Sequence, residues 1–213
     1  MTTAQPGLRE RKKQATRDAL SAAALRLALE RGPENVRVDD IAEAAGVSPR
    51  TYNNYFSSRE QAIVAAVTAD RAARIAAAVA GRPAEVGLAV AVGDAVVGQY
   101  TEPGDEARAA LLMIMGSSAL RDCYVETVAA IDGPLAEAIA GRCPGLGRLA
   151  AEVLAAAVGA AVRVAIGQWL RAATVPASMP GFVVPAGSLP VLMRSALTPL
   201  GPALDAAAKH PAA

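Results

Sequence analysis

The stretch Val38-Asp-Asp-Ile-Ala-Glu-Ala-Ala-Gly46-Val-Ser48-Pro-Arg-Thr-Tyr-Asn-Asn-Tyr-Phe56 predicts two short helices meeting at a tight turn. Asp39 and Asp40 stand where carboxylates favour the positive end of a helix, and Ile41, Ala42 and Ala45 give that helix one apolar face. Gly46 should end it, because the residue past a helix end often takes a left-handed conformation that glycine adopts cheaply. Ser48 and Pro49 restart a helix at once: serine caps the free N–H groups, and proline at the first helical position gives up an N–H that has no partner there. Helix, glycine turn and capped helix make a helix-turn-helix, spanning residues 37–56.

The residues after the cap suit DNA better than a core. Arg50 offers a planar donor fork, Asn53 and Asn54 can pair with adenine edges, and the hydroxyls of Thr51 and Tyr55 can reach phosphate oxygens. An ordinary helical hairpin with a polar outer face would share the turn alone.

Working outward, the composition is 53% hydrophobic with only 3% aromatic residues, so alanine, leucine and valine supply the bulk and an all-α fold is expected. The net charge of +1 does not announce a nucleic-acid binder, but its distribution is uneven. Met1 to Arg17 holds five cations (Arg9, Arg11, Lys12, Lys13, Arg17) and one acid, Glu10, whereas residues 61–213 hold 11 basic and 12 acidic side chains. Arg17, Asp18, Arg26 and Glu30 interrupt the alanine-rich run that could otherwise pass for a signal core. The most apolar window, near 149–170, contains Glu152 and Arg163, so no membrane span is expected. Cys123 and Cys143 make no disulfide framework, and with a single histidine, His210, no zinc site or other metal or cofactor is expected.

Residues 1–8 read as a flexible arm. A first helix should follow from about Arg9 to Arg31, burying Leu20, Ala23, Ala24, Leu27 and Ala28 and ending at Gly32-Pro33. The helix after Phe56 opens with Ser-Ser-Arg-Glu-Gln, where either Ser57 with Glu60 or Ser58 with Gln61 makes a capping box. Arg59 is odd in that first turn, since a cation there opposes the helix dipole and suggests a nearby anion, for which a DNA phosphate is the natural candidate.

Residues 9–67 resemble the DNA-binding domain of the TetR family of bacterial repressors, most clearly from Asp39 to Glu60. The likeness joins the glycine turn, the Ser-Pro-Arg-Thr restart, the Tyr-Phe end of the second helix and the serine and basic residue that follow. It implies that Arg50, Thr51, Tyr55 and Arg59 contact DNA, Tyr55 and Arg59 through phosphates; Ser48, Asn53 and Asn54 on the same element and Arg11, Lys12 and Lys13 in the basic N-terminal segment are the further candidates for DNA contact. The sequence departs from the family at Arg37, where a capping threonine or serine is common, at Asn53, commonly aromatic, and at Arg59, more usually lysine; Arg37 could serve a phosphate instead of a cap.

The resemblance implies an N-terminal three-helix helix-turn-helix domain (residues 9–68) followed by a helical effector-binding and dimerisation domain (69–213), about nine helices in all. Beyond the helix that ends near Ala80, helices are expected over about 84–100, 105–115, 118–140 with a kink at Gly133-Pro134, Leu149 to Ala173, and 189–197. In the longest, Val153, Ala157, Ala161, Ala165 and Trp169 recur every four residues, and apolar residues on its other sides call for a self-association face. The expected partners are a palindromic operator in double-stranded DNA, a small-molecule effector, and a second copy joined through the eighth and ninth helices, in the bacterial cytoplasm at the nucleoid. Tyr100, Met113, Met115, Tyr124, Arg163, Gln168 and Trp169 are the candidate effector contacts, a set poor enough in polar groups to suggest an apolar or amphipathic ligand. A helical carrier, or an enzyme using the N-terminal domain as an interaction module, is the alternative; the absence of H-E-x-x-H, G-x-S-x-G and phosphate-loop motifs argues against catalysis.

Overall fold

Two groups of contacts organise the chain, one taking Met1–Val67 with Asp105–Tyr124, the other Thr68–Gly104 with Val125–Ala213. The computed structural model describes residues 7–101, 104–127, 131–174 and 188–209. Outside them lie the first six residues of the expected arm, Glu102 and Pro103, the stretch carrying Pro176, Pro180 and Pro185, and His210. Every regular element among the described residues is a helix.

In the first unit, α1 (Leu8–Arg31) is followed by a 3-10 turn (Pro33–Asn35), α2 (Val38–Ala44), α3 (Pro49–Asn53) and the opening turns of α4 (Arg59–Ala80). Leu20, Ala24, Leu27 and Ala28 of α1 are buried with Val36, Ile41, Ala42, Tyr52, Phe56 and Ile63, so one apolar core holds both helices of the turn. The same unit includes α6 (Asp105–Gly116), which packs on α1, and most of α7 (Ser118–Thr127). Ala107, Ala110 and Ile114, one face of α6, are buried, as are Leu120 and Tyr124 of α7.

The second unit contains the remainder of α4, then α5 (Leu88–Thr101), α8 (Asp132–Arg142), α9 (Arg148–Thr174), α10 (Leu189–Leu197) and α11 (Gly201–Ala208). α9 is its centre, packed on α8 and α10, while α10 and α11 both pack on α5. Its buried face is Ala151, Ala155, Val158, Val162, Ala165 and Ile166; of the series read from the sequence only Ala165 is buried, while Ala157, Ala161 and Trp169 are half-buried and Val153 is 59% exposed. On a helix apolar all round, spacing alone does not select the core side; here small residues facing inward admit close neighbours.

Two expected helices change their bounds for identifiable reasons. The one over 84–100 starts only at Leu88, where Asp205 of α11 accepts a 3.0 Å hydrogen bond from the Ala89 N–H and so caps it from 116 residues away. The one over 118–140 divides into α7 and α8, with Gly133 and Pro134 in the first turn of α8, where a missing N–H is harmless. After α10, Pro199 and Pro202 convert the chain to a 3-10 turn (Thr198–Leu200) and a fresh helix, α11.

Candidate nucleic-acid interface

The turn between α2 and α3 closes by hydrogen bonds from the Gly46 N–H to the Glu43 carbonyl (3.0 Å) and from the Val47 N–H to the Ala42 carbonyl (2.9 Å). That paired arrangement needs a left-handed residue, and Gly46 has φ +69°. Ser48 then caps α3: its Oγ accepts from the Thr51 N–H at 3.1 Å and lies 2.9 Å from the Thr51 hydroxyl. At the start of α2, Arg37 has no acceptor to offer as a cap, and the missing bond is made in reverse: the Arg37 N–H donates to Asp40 Oδ2 at 3.1 Å. The Arg37 side chain is exposed.

α3 has two sides of opposite chemistry. Tyr52 and, just past the helix, Phe56 point inward, their ring centroids 5.8 Å apart, and the Tyr52 hydroxyl donates to the Ser58 carbonyl at 2.7 Å. Burial, reinforced by the nearby Glu60 charge, pushes the Tyr52 phenol up to about 12. Arg50, Asn53 and Asn54 are exposed, with Thr51 and Tyr55 half-buried beside them. Arg11, Lys12 and Lys13 are exposed near the start of α1, so the basic segment continues as helix from Leu8.

The register at α4 resolves in favour of Ser58, whose Oγ accepts from the Gln61 N–H at 3.1 Å, while Gln61 Oε1 accepts from the Ser57 N–H at 2.9 Å. Arg59 finds its anion within the chain. Nε donates to Glu60 Oε1 at 2.7 Å, and Nη1 donates to the carbonyls of Glu34 (3.0 Å) and Val36 (3.1 Å). Burial would raise the Glu60 carboxyl, but the hydrogen bond and charge of Arg59 outweigh it and hold Glu60 below the ordinary range. Arg17, counted from the sequence only as positive charge, makes a second such contact: its Nη1 donates to the Tyr55 carbonyl at 3.1 Å and its guanidinium lies 4.6 Å from the centre of the Phe56 ring. Its partner is 38 residues away, so nothing local marks it.

Residues 20–66, spanning this geometry, match the family model of bacterial regulatory proteins of the tetR family. This part of the chain is similar to the DNA-binding domain of TetR-family regulators. The HTH-type transcriptional regulator TcmR of Streptomyces glaucescens is 45% identical over 64 residues, which are 30% of this chain and 28% of that one. Among solved structures, a chain assigned to the TetR family from Rhodococcus sp. is 23% identical, with TM-score 0.44 over 88% of this chain and 99% of its own. A tetR-family transcriptional regulator from Streptomyces coelicolor is 22% identical, with TM-score 0.39 over 94% and 86%.

The candidate effector residues divide between the two units. Met113 and Met115 are half-buried on α6 and Tyr124 is buried on α7, all in the first; Tyr100, Arg163, Gln168 and Trp169 belong to the second. Arg163 and Gln168 are exposed on α9 and Trp169 is half-buried. Tyr100 meets a cation the sequence did not single out: Arg71 of α4, 1% exposed, has its guanidinium 4.6 Å from the Tyr100 ring centre. Burial draws Arg71 below its ordinary value and raises Tyr100. A separate cavity of about 330 Å³ within the second unit is lined by Ala80, Arg82, Leu88, Arg142, Cys143 and Ala208, none of them among the candidates.

Proposed function

We propose that the chain is a ligand-responsive transcriptional repressor that binds a palindromic operator as a two-fold homodimer, in the bacterial cytoplasm at the nucleoid. The observation that carries the DNA-binding part is the division of α3: Tyr52 and Phe56 are anchored in the core while Arg50, Asn53 and Asn54 stay exposed on a capped helix. Arg50 and one asparagine read base edges; Thr51, Tyr55, Arg37 and the Arg11, Lys12, Lys13 segment serve the phosphates. Leu149, Val153 and Val164 favour self-association through α9, since all are exposed, 74%, 59% and 59%, and fall on one face by helical spacing; Val191 of α10 is 56% exposed. These are the helices the sequence nominates for the dimer.

Release by an apolar or amphipathic effector runs through α4. This helix is unbroken from Arg59 to Ala80, with its first turns in the DNA-binding unit and the rest in the second. A ligand that shifts its far end displaces its near end and changes the spacing of two recognition helices. Such coupling is about 1 to 3 kcal/mol and reciprocal, so operator DNA must weaken effector binding by the same factor.

The test is selection of genomic DNA fragments by the purified chain, followed by gel shift across a salt series. The expected result is a discrete two-fold-symmetric site and a log–log salt slope of roughly −3 to −6. Selection of no fragment, with a small molecule still bound, would make the chain a carrier instead.

A further inference from the structure

We infer that Arg17 and Arg59 are internal clamps that set the angle of α3, and that what they supply to DNA binding is sequence selectivity and not phosphate neutralisation. The inference rests on the reading that α3 meets DNA. It departs from the expectation, carried by family resemblance, that the cation at position 59 serves a phosphate.

The donor geometry leads to it. Arg59 commits Nε to a carboxylate and Nη1 to two carbonyls, one within and one just after the 3-10 turn leading into α2. Both edges of the fork nearest its stem are therefore used inside the chain, and Val36, one of the two carbonyl residues, is 1% exposed, so the bond could not be replaced freely by water. Arg17 holds the other end of the motif. The Tyr55 carbonyl it binds lies just past the C-terminus of α3, where backbone dipoles leave partial negative charge, and the guanidinium also packs on Phe56. One cation thus ties α1 to the exit of the helix-turn-helix and the other ties α4 to its approach, across 38 and 23 to 25 residues of sequence.

α3 itself is only five residues long and cannot hold its own direction by helical hydrogen bonds. A small rotation of so short a helix moves Arg50 and Asn53 off base edges while leaving the general attraction between cations and phosphates intact. The exposed guanidinium groups of Arg37 and Arg50 differ in kind: among the described residues neither donates a hydrogen bond within the chain, so each remains available to DNA.

The experiment compares Arg17→Met, Arg17→Gln, Arg59→Met and Arg37→Met with wild type in the whole chain. Each is titrated with a duplex enriched by the wild-type chain from a random pool and with a mixed-sequence duplex, across a salt series, with the folded fraction measured by circular dichroism. For Arg17→Met and Arg59→Met the expected result is a loss of about 10-fold or more in the preference for the enriched duplex, with an unchanged salt slope on mixed DNA. Arg17→Gln, an uncharged donor, should retain more of the preference than Arg17→Met. Arg37→Met, which removes a cation assigned to a phosphate, should flatten the slope by about 0.9 for each subunit bound. A slope loss of that size in Arg17→Met or Arg59→Met would make those residues phosphate contacts and overturn the inference alone. Unchanged affinity for both duplexes, once corrected for folded fraction, would reduce them to fold stabilisers and overturn it too. If the wild-type chain enriches no duplex, the DNA-binding reading fails and takes this inference with it.

Discussion

The Tyr52 hydroxyl donates a 2.7 Å hydrogen bond to the Ser58 carbonyl, tying the middle of α3 to the residue that caps α4. The ring around it is fully buried, so the bond is made without competition from water. Tyr52→Phe leaves the shape intact and removes the donor, and should cost about 1 to 2 kcal/mol in urea unfolding. The sign with pH follows from the phenol being raised to about 12 against an ordinary value of 10.0. The folded state keeps its proton where the unfolded chain has lost it, so this contribution is complete below pH 10 and is lost as pH rises toward 12. The gap between wild type and Tyr52→Phe should narrow over that window; a gap constant to pH 11.5 would contradict the assignment.

Gly46→Ala tests the turn. A methyl group there would meet nothing within 4 Å, so the penalty is conformational alone, set by φ +69°. The expected loss is about 1 to 2 kcal/mol, with Gly46→Asn recovering part of it. A neutral result would mean that the turn relaxes to another conformation at no cost.

Asn53 and Asn54 are both exposed, but adjacent helical positions are about 100° apart and cannot share a base edge. Alanine at the reading position should cost about 1 to 3 kcal/mol on the selected duplex and relax one position per half-site. The other substitution should weaken all sequences alike. Equal, sequence-independent losses from both would remove asparagine readout from the mechanism.

Arg142, at the C-terminus of α8, donates through both Nη atoms to the carbonyls of Val79, Arg82, Pro83 and Val86. It therefore closes the end of α4 and the turn after it. Arg142→Met should destabilise the chain by about 2 kcal/mol or more and speed amide exchange over residues 79–88. Arg142→Lys should rescue little, because an ammonium group cannot fan its donors across four acceptors. Full rescue by lysine would show that charge alone suffices.

What the sequence determined by itself is what acts over a turn or two of chain. Gly46, the Ser48 cap with Pro49, a serine cap at Ser57 or Ser58 and the α1 stripe from Leu20 to Ala28 depend on neighbours within about four residues, so composition and spacing reveal them; which of the two serines caps α4 was decided by the structure. The polar face of Arg50, Asn53 and Asn54 is legible for the same reason. Only tertiary structure decided which side of α9 is buried, because a helix apolar on every side carries no periodic signal to choose among its faces. Only tertiary structure, too, assigned Arg17 to the Tyr55 carbonyl, Arg59 to Glu34 and Val36, Arg142 to the end of α4 and Asp205 to the start of α5. Each of these bonds joins residues 23 to 116 positions apart. A guanidinium or carboxylate reads identically in sequence whether it faces solvent, DNA or a backbone group, and its partner is selected only when the helices pack.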